Sequence, residues 1–126
     1  MKRQEILHKY QATQKVTDFL DTSSLTNANT HYANINKSKD VWWLNIAPRK
    51  FEQDLHILLV KTNGFIWLRI KANSIRNPLQ VFRMRTDKGM FDLEISSNIY
   101  DRYLRDIKSG GTRYDFRRHI EHEWDA

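Results

Sequence analysis

Two carboxylates, Asp92 and Glu94, are separated by one residue in a stretch where polar and apolar residues alternate. Side chains two positions apart on a β-strand project from the same face, so these carboxylates would lie side by side. Carboxylate oxygens are ligands that Mg²⁺ accepts, and a lysine such as Lys71 beside the metal would stabilise charge developing at a phosphodiester. This constellation raises the hypothesis of a Mg²⁺-dependent nuclease.

The neighbouring predicted strand weakens that hypothesis. A nuclease of the mixed-sheet type needs an acidic residue two positions before the lysine, and Arg69 stands there instead. Arginines on adjacent strands would pair with Asp92 and Glu94, each pair contributing about 0.2–1 kcal/mol. We therefore favour ion pairing of the two carboxylates over catalysis, and we expect no resident cofactor.

Three further potential metal ligands, Asp115, His119 and His122, follow one another at helical spacing. Imidazole and carboxylate groups on one helix face are a ligand set for zinc or another transition metal. The two histidines are three residues apart, however, so the His-Glu-x-x-His pattern of metalloproteases is missing. Solvated histidines and ion pairs along the helix account for the same residues, and no metal site is expected.

The segment 61–88 concentrates the positive charge of the chain. It contains seven of the 21 lysines and arginines and one carboxylate, Asp87, so its net charge of +6 equals that of the whole sequence. Lys and Arg neutralise phosphates, and an aromatic ring beside them stacks on an unpaired base with about 1–3 kcal/mol. The residues expected to contact nucleic acid are Lys61, Trp67, Arg69, Lys71, Arg76, Arg83, Arg85 and Lys88.

This basic segment predicts a nucleic-acid-binding module, and the pattern is compatible with DNA and with RNA. Two alternatives remain open. One is the Mg²⁺-dependent nuclease that would use Asp92, Glu94 and Lys71. The other is a protein-interaction or regulatory module whose basic surface meets an acidic protein partner. A binding module is favoured over an enzyme.

Several reaction classes lack their sequence signature. The chain contains no cysteine, which excludes disulfides and thiolate chemistry. It has no glycine-rich phosphate loop and no Gly-x-Ser-x-Gly motif, and its four glycines fall in predicted turns. Nucleotide hydrolysis and Rossmann-type cofactor binding are therefore not expected.

Length and hydropathy predict a small soluble domain. A chain of 126 residues with an apolar fraction of 40% can form one hydrophobic core. The sequence shows neither the apolar core of a secretion signal nor a run long enough to span a membrane. We therefore expect a cytoplasmic, single-domain protein that does not insert into membranes.

Five segments carry the alternation or the β-branched and aromatic residues typical of strands, namely 41–46, 55–61, 65–72, 79–86 and 90–96. Their short connections favour an antiparallel meander over residues 41–96. Pairing in chain order would give the last three strands one shared face. Its residues would be Phe65, Trp67, Arg69, Lys71, Arg83, Arg85, Asp92 and Glu94.

Helices are predicted on either side of this meander. Residues 1–20 are expected to form an N-terminal helix, residues 21–40 a polar loop, and residues 97–126 two C-terminal helices. The apolar residues at helical spacing in the last segment are Ile99, Tyr103 and Ile107, and then Phe116, Ile120 and Trp124. The predicted fold is α+β, with a mostly antiparallel sheet of about five strands, an N-terminal helix and two C-terminal helices.

Overall fold

The computed structural model of the chain describes residues 25–26, 28–62 and 64–125. Within these ranges the fold is mostly β, with seven strands in two sheets and one short helix. The strands are β1 (Thr30–Ala33), β2 (Val41–Ile46), β3 (Leu55–Lys61), β4 (Gly64–Ile70), β5 (Arg83–Arg85), β6 (Met90–Ser96) and β7 (Ile120–Asp125). Helix α1 spans Pro78–Val81, and two 3₁₀ turns span Pro48–Glu52 and Arg117–His119.

The first sheet has four strands in the order β1-β3-β4-β7. Strand β1 runs parallel to β3, and the other neighbours are antiparallel. The β3 sequence is apolar on both faces because both faces are covered: Ile57 and Leu59 belong to the main core, and Leu58 and Val60 to a second apolar cluster. This sheet is therefore buried on both sides along its central strands.

The second sheet has three antiparallel strands in the order β2-β6-β5. Alternation along β2 sends Trp42, Leu44 and Ile46 into the core, and Trp43 and Asn45 to the outer face. Strand β6 alternates in the same way. Its residues Asp92 and Glu94 lie on the outer face, opposite Asn45 and Trp43 of β2. The outer face of this sheet is therefore polar.

The main core lies between the inner faces of the two sheets and is closed by aromatic side chains from the connecting segments. Phe82 stacks on Phe51 and on Phe116, with ring centroids 5.4 and 5.9 Å apart. The indole N–H of Trp42 donates a hydrogen bond of 2.8 Å to the carbonyl oxygen of Val60. This bond links the two sheets through a fully buried side chain.

The predicted α+β meander is wrong. Strand β2 pairs with β6 instead of β3, and β4 and β5 lie in different sheets. The expected shared polar face of Phe65, Trp67, Arg69, Lys71, Arg83, Arg85, Asp92 and Glu94 is consequently divided between two sheets. Alternation along a strand sets which side chains share its own faces, but strand order depends on long-range packing.

The two predicted C-terminal helices are also wrong. Residues 97–116 form turns and isolated bridges, with positive φ angles at Arg102 and Leu104, and β7 replaces the last helix. The segment instead pairs with β6, since the Ile107 N–H donates to the Glu94 carbonyl oxygen at 2.8 Å. Strand β5 pairs with residues 90–92 of β6, and hydrogen bonding to the rest of β6 outweighs a weak helical periodicity. The predicted helix over residues 1–20 lies outside the described residues.

The other differences are local. Residues 79–86 were expected as one strand, and the structure has α1 followed by the three-residue β5. Strand β1 lies within the segment expected as a polar loop. Across the described ranges, no helix has the length and apolar character needed to cross a membrane.

Candidate functional site

Four of the predicted contact residues are held by carboxylates of the chain itself. The N–O distances are 3.4 Å in Lys61–Glu123, 3.1 Å in Arg69–Asp54, 3.3 Å in Arg83–Asp92 and 3.0 Å in Arg85–Asp87. A cation already paired in this way has less to gain from a phosphate, because one ion pair must break as the other forms.

Trp67 is buried and does not present a stacking surface. Its side chain is 4% exposed, and its indole N–H donates to Nδ1 of His56 at 3.0 Å. Burial lowers the pKa of His56, and the nearby Arg69 acts in the same direction. A neutral imidazole is therefore available to accept the tryptophan hydrogen bond.

The remaining predicted cations, Lys71, Arg76 and Lys88, are exposed and form no ion pair among the residues that the structure describes. Lys88 lies in the turn between β5 and β6. Lys71 directly follows β4 and begins the turn that leads toward Arg76, where the Ser74 N–H donates to the Lys71 carbonyl oxygen at 3.0 Å. Lys71 and Arg76 therefore lie in the same connection, between β4 and α1, whereas Lys88 lies in a different one.

A cleft of about 640 Å³ lies between the first 3₁₀ turn and residues 73–80, and we call it the arginine cleft. Its lining includes Arg49 and Glu52 from one side, and Arg76 from the other. Asn73, Asn77 and Gln80 also line the cleft. The cleft thus brings together Arg76, which was predicted to contact nucleic acid, and Arg49, which lies outside the basic segment.

Local sequence explains how the walls of the arginine cleft are built. Pro48 and Pro78 occupy first-turn positions, where a fixed φ and a missing N–H are tolerated. Phe51 and Ile75 are buried and anchor the two walls, which are joined by a 2.9 Å hydrogen bond from the Asn73 N–H to the Phe51 carbonyl oxygen. Asn77 has a left-handed φ of 50°, a conformation that Asn adopts more readily than most residues.

The polar groups of the arginine cleft are open to a ligand. Arg49 and Arg76 have no ion-pair partner in the described part of the chain, and the three amide side chains have no hydrogen-bond partner there. Glu52 is the carboxylate in the lining, so two guanidinium groups and one carboxylate leave a net positive site. The arrangement suits an anion that also carries hydrogen-bonding groups.

A second polar constellation covers the outer face of the three-stranded sheet. Glu94 is held by Lys39 at 2.6 Å and by Lys108 at 3.1 Å. Burial raises the pKa of Glu94, but the hydrogen bonds from the two lysines outweigh it and hold that pKa below its usual value. Asp92 accepts hydrogen bonds from Trp43 and Arg83. Among the described residues, Lys71 is not a partner of either carboxylate.

Asp106 lies beneath this constellation and is fully buried. Its Oδ1 accepts the backbone N–H groups of Glu94 and Lys108, at 3.2 and 3.1 Å. Within the described ranges its Oδ2 has no hydrogen-bond partner. Burial raises the pKa of Asp106, and this effect exceeds that of the backbone hydrogen bonds. Burial thus shifts the protonation equilibrium of this carboxyl toward its neutral form.

The three weak metal candidates do not converge. Asp115 pairs with Arg117 at 2.6 Å, and the His119 Nε2 lies 2.6 Å from the Tyr114 hydroxyl. Burial, with help from Arg118, lowers the pKa of His119 to about 4. His122 lies on β7 opposite Trp67. In the part of the chain that the structure describes, no group of three or more His, Asp or Glu residues is arranged to hold a metal ion.

Sequence reasoning missed Arg49, Lys108 and Asp106. Arg49 lies outside the basic segment, and its signal in the sequence is the Pro-Arg-Lys stretch that begins two residues after β2. Lys108 and Asp106 were placed in a predicted helix. Residues two positions apart on a helix do not face each other, so their spacing did not indicate a shared site. Comparison of the chain with protein-family models, with curated proteins and with solved structures finds no match.

Proposed function

We propose that the protein binds nucleic acid, with the arginine cleft and Lys71 as the surface for backbone phosphates. One observation supports this most directly: Arg49 and Arg76 line the same cleft, and neither forms an ion pair within the described ranges. A guanidinium group binds phosphate oxygens through two parallel N–H bonds and keeps its charge at any physiological pH. Phosphate contacts of this kind supply most non-specific affinity.

The position of Lys71 extends this surface. Lys71 is exposed and stands two residues before Asn73, which lines the arginine cleft. Lys71 would thus add a third cation for the phosphates of a strand bound at the cleft. Each phosphate neutralised by a cation releases bound counterions, so binding weakens as salt rises.

The nuclease hypothesis finds no specific support in the geometry. Its two carboxylates are already neutralised by Lys39, Lys108 and Arg83. The binding experiment nevertheless includes Mg²⁺ and an end-labelled strand, so that cleavage would be seen as shortening of the label.

A salt titration of binding tests the proposal. Fluorescence anisotropy would follow a labelled single strand and a labelled duplex of the same composition, with wild-type protein and with Arg49→Ala/Arg76→Ala. The matched control is Lys37→Ala/Lys88→Ala, which removes the same charge from exposed cations that lie outside the cleft lining and form no ion pair within the described ranges. Circular dichroism and thermal melts would confirm that all variants fold.

We expect the affinity of the wild type to fall linearly in log salt, and the cleft variant to lose about 10-fold or more in affinity. The control should lose far less. Equal losses in both variants would contradict a localised site. Binding of a polyglutamate probe with the same cleft dependence, and no binding of nucleic acid, would replace the proposal with an acidic protein partner.

A further inference from the structure

We infer that the arginine cleft holds an unpaired nucleotide, so that the protein prefers single-stranded over double-stranded nucleic acid. This inference rests on the proposed function and names the form of nucleic acid recognised. The first reason is shape. The cleft is open to solvent, and its volume of about 640 Å³ is in the size class of sites that accept a molecule as large as a nucleotide.

The second reason is the mixture of groups in the arginine cleft. Phosphate binding alone needs only cations, but the cleft adds the amide side chains of Asn73, Asn77 and Gln80. An amide offers both a donor and an acceptor, which is the pairing needed for the edge of a base. None of the three has a hydrogen-bond partner in the described part of the chain, so those donors and acceptors are free to bind a ligand.

The third reason is the route by which a base can reach these amides. Sequence in a duplex is read by a protruding helix or ribbon that enters a groove. The amides belong instead to residues that line a cleft between two walls, and the helix at its rim has four residues. A base that is paired and stacked in a duplex cannot enter such a recess, whereas a base splayed out from a single strand can.

The apolar part of the lining completes the pocket. Pro48, Pro78 and Leu79 border the cleft, and the side chain of Leu79 is accessible, because the residue is 67% exposed. Flat or broad apolar surfaces of this kind pack on the face of a base, while a guanidinium plane can stack on it from the other side. The cleft thus provides groups for phosphate, base edge and base face.

An abasic strand separates this inference from simple phosphate binding. The probes are a short labelled single strand, the same strand with abasic sites throughout its centre, and a hairpin duplex of equal charge. The variants are Asn77→Gly/Gln80→Ala, in which glycine keeps the left-handed backbone at position 77, and Asn34→Ala as an exposed-amide control.

For the wild type, we expect the base-bearing strand to bind about 10-fold tighter than the abasic strand and the duplex. The amide variant should reduce that ratio to about 2-fold while retaining the salt dependence, because its arginines are intact. The Asn34→Ala control should behave as wild type.

Equal binding of the base-bearing and abasic strands by the wild type would overturn the inference and leave the proposed function standing. A ratio that persists in the amide variant would also overturn it, because the base would then be bound elsewhere. Failure of every probe to bind at low salt would overturn both the inference and the proposed function.

Discussion

The ammonium group of Lys39 lies 2.6 Å from Oε2 of Glu94, and Lys108 holds the other oxygen of the same carboxylate at 3.1 Å. The carboxylate thus joins the turn before β2 to the segment that follows β6, across the outer face of the three-stranded sheet. Glu94 has little exposed surface, so the two lysines compensate a charge that has lost much of its water.

This arrangement predicts a loss of stability in acid. The folded-state pKa of Glu94 lies below its ordinary value of 4.5. The corresponding stability is therefore present above the unfolded-state pKa and is lost as the pH falls through the folded-state value. Glu94→Gln should lower the free energy of unfolding by about 1–2 kcal/mol at neutral pH and flatten its decline in acid. Urea unfolding across the acid range measures both, with the exposed Glu121→Gln as control.

Asp106 predicts the opposite pH dependence. Its folded-state pKa is raised by burial, so its contribution to stability is present below the unfolded-state pKa and is lost as the pH rises through the folded-state value. Asp106→Asn removes the charge and retains an oxygen for the two backbone N–H groups. We expect the variant to be more stable than wild type at neutral pH, with the difference vanishing near pH 4. A variant less stable at every pH would show that the carboxylate itself is required.

Gly111 predicts a steric effect beside the same carboxylate. A Cβ at Gly111 would lie 2.8 Å from Oδ2 of Asp106, closer than such atoms approach in proteins. Gly111→Ala should therefore lower the free energy of unfolding by about 1–3 kcal/mol. The loss should shrink when Asp106 is also replaced by alanine, which a double-mutant cycle measures. Gly89→Asn is the control, because position 89 is open and Asn tolerates its positive φ.

The hydrogen bond between the sheets supports a fourth prediction. Trp42→Phe keeps most of the ring volume but leaves the Val60 carbonyl oxygen without the indole donor. We expect a loss of about 1–3 kcal/mol in the free energy of unfolding. Trp43→Phe should cost less, because Trp43 is 47% exposed and Asp92 keeps Arg83 and Lys108 as partners. Equal losses would contradict the prediction, because the fully buried Trp42 should lose more than the half-exposed Trp43.

Paired and unpaired cations should differ in binding experiments. Lys71→Ala should weaken nucleic-acid binding uniformly across sequences and reduce the salt slope by about one. Arg83→Ala/Arg85→Ala should change binding less per charge removed, because both arginines already pair with aspartates. The measurement is the slope of log affinity against log salt for each variant. A larger effect from the arginine pair would move the binding surface to the three-stranded sheet.

Strand positions could be predicted from the sequence because alternation is a local property. The predicted bounds of β2, β3 and β6 coincide with those in the structure, and alternate apolar residues of each strand lie in the main core. Pairing could not be predicted in the same way. Short connections suggested a meander, but β2 pairs with β6 in a second sheet, and Trp42 and Phe91 are buried there.

Prediction of the candidate site was limited for the same reason. Lys71 and Arg76 were identified from charge alone, which needs no knowledge of the fold. The charge count could not show that Arg69, Arg83 and Arg85 would find carboxylate partners, because Asp54 and Asp92 become their neighbours only through sheet pairing. Arg49 joins the site through a cleft that exists only in the folded chain.

Strand β5 forms one edge of the three-stranded sheet and has only three residues, two of which are Arg83 and Arg85. An open edge offers backbone donors and acceptors to a neighbouring molecule, which is how sheet proteins aggregate. A very short edge with bulky charged side chains gives a second copy of the chain little to pair with. Arg83 and Arg85, which were predicted to bind phosphate, thus disfavour the pairing of this edge strand with a strand of a second molecule.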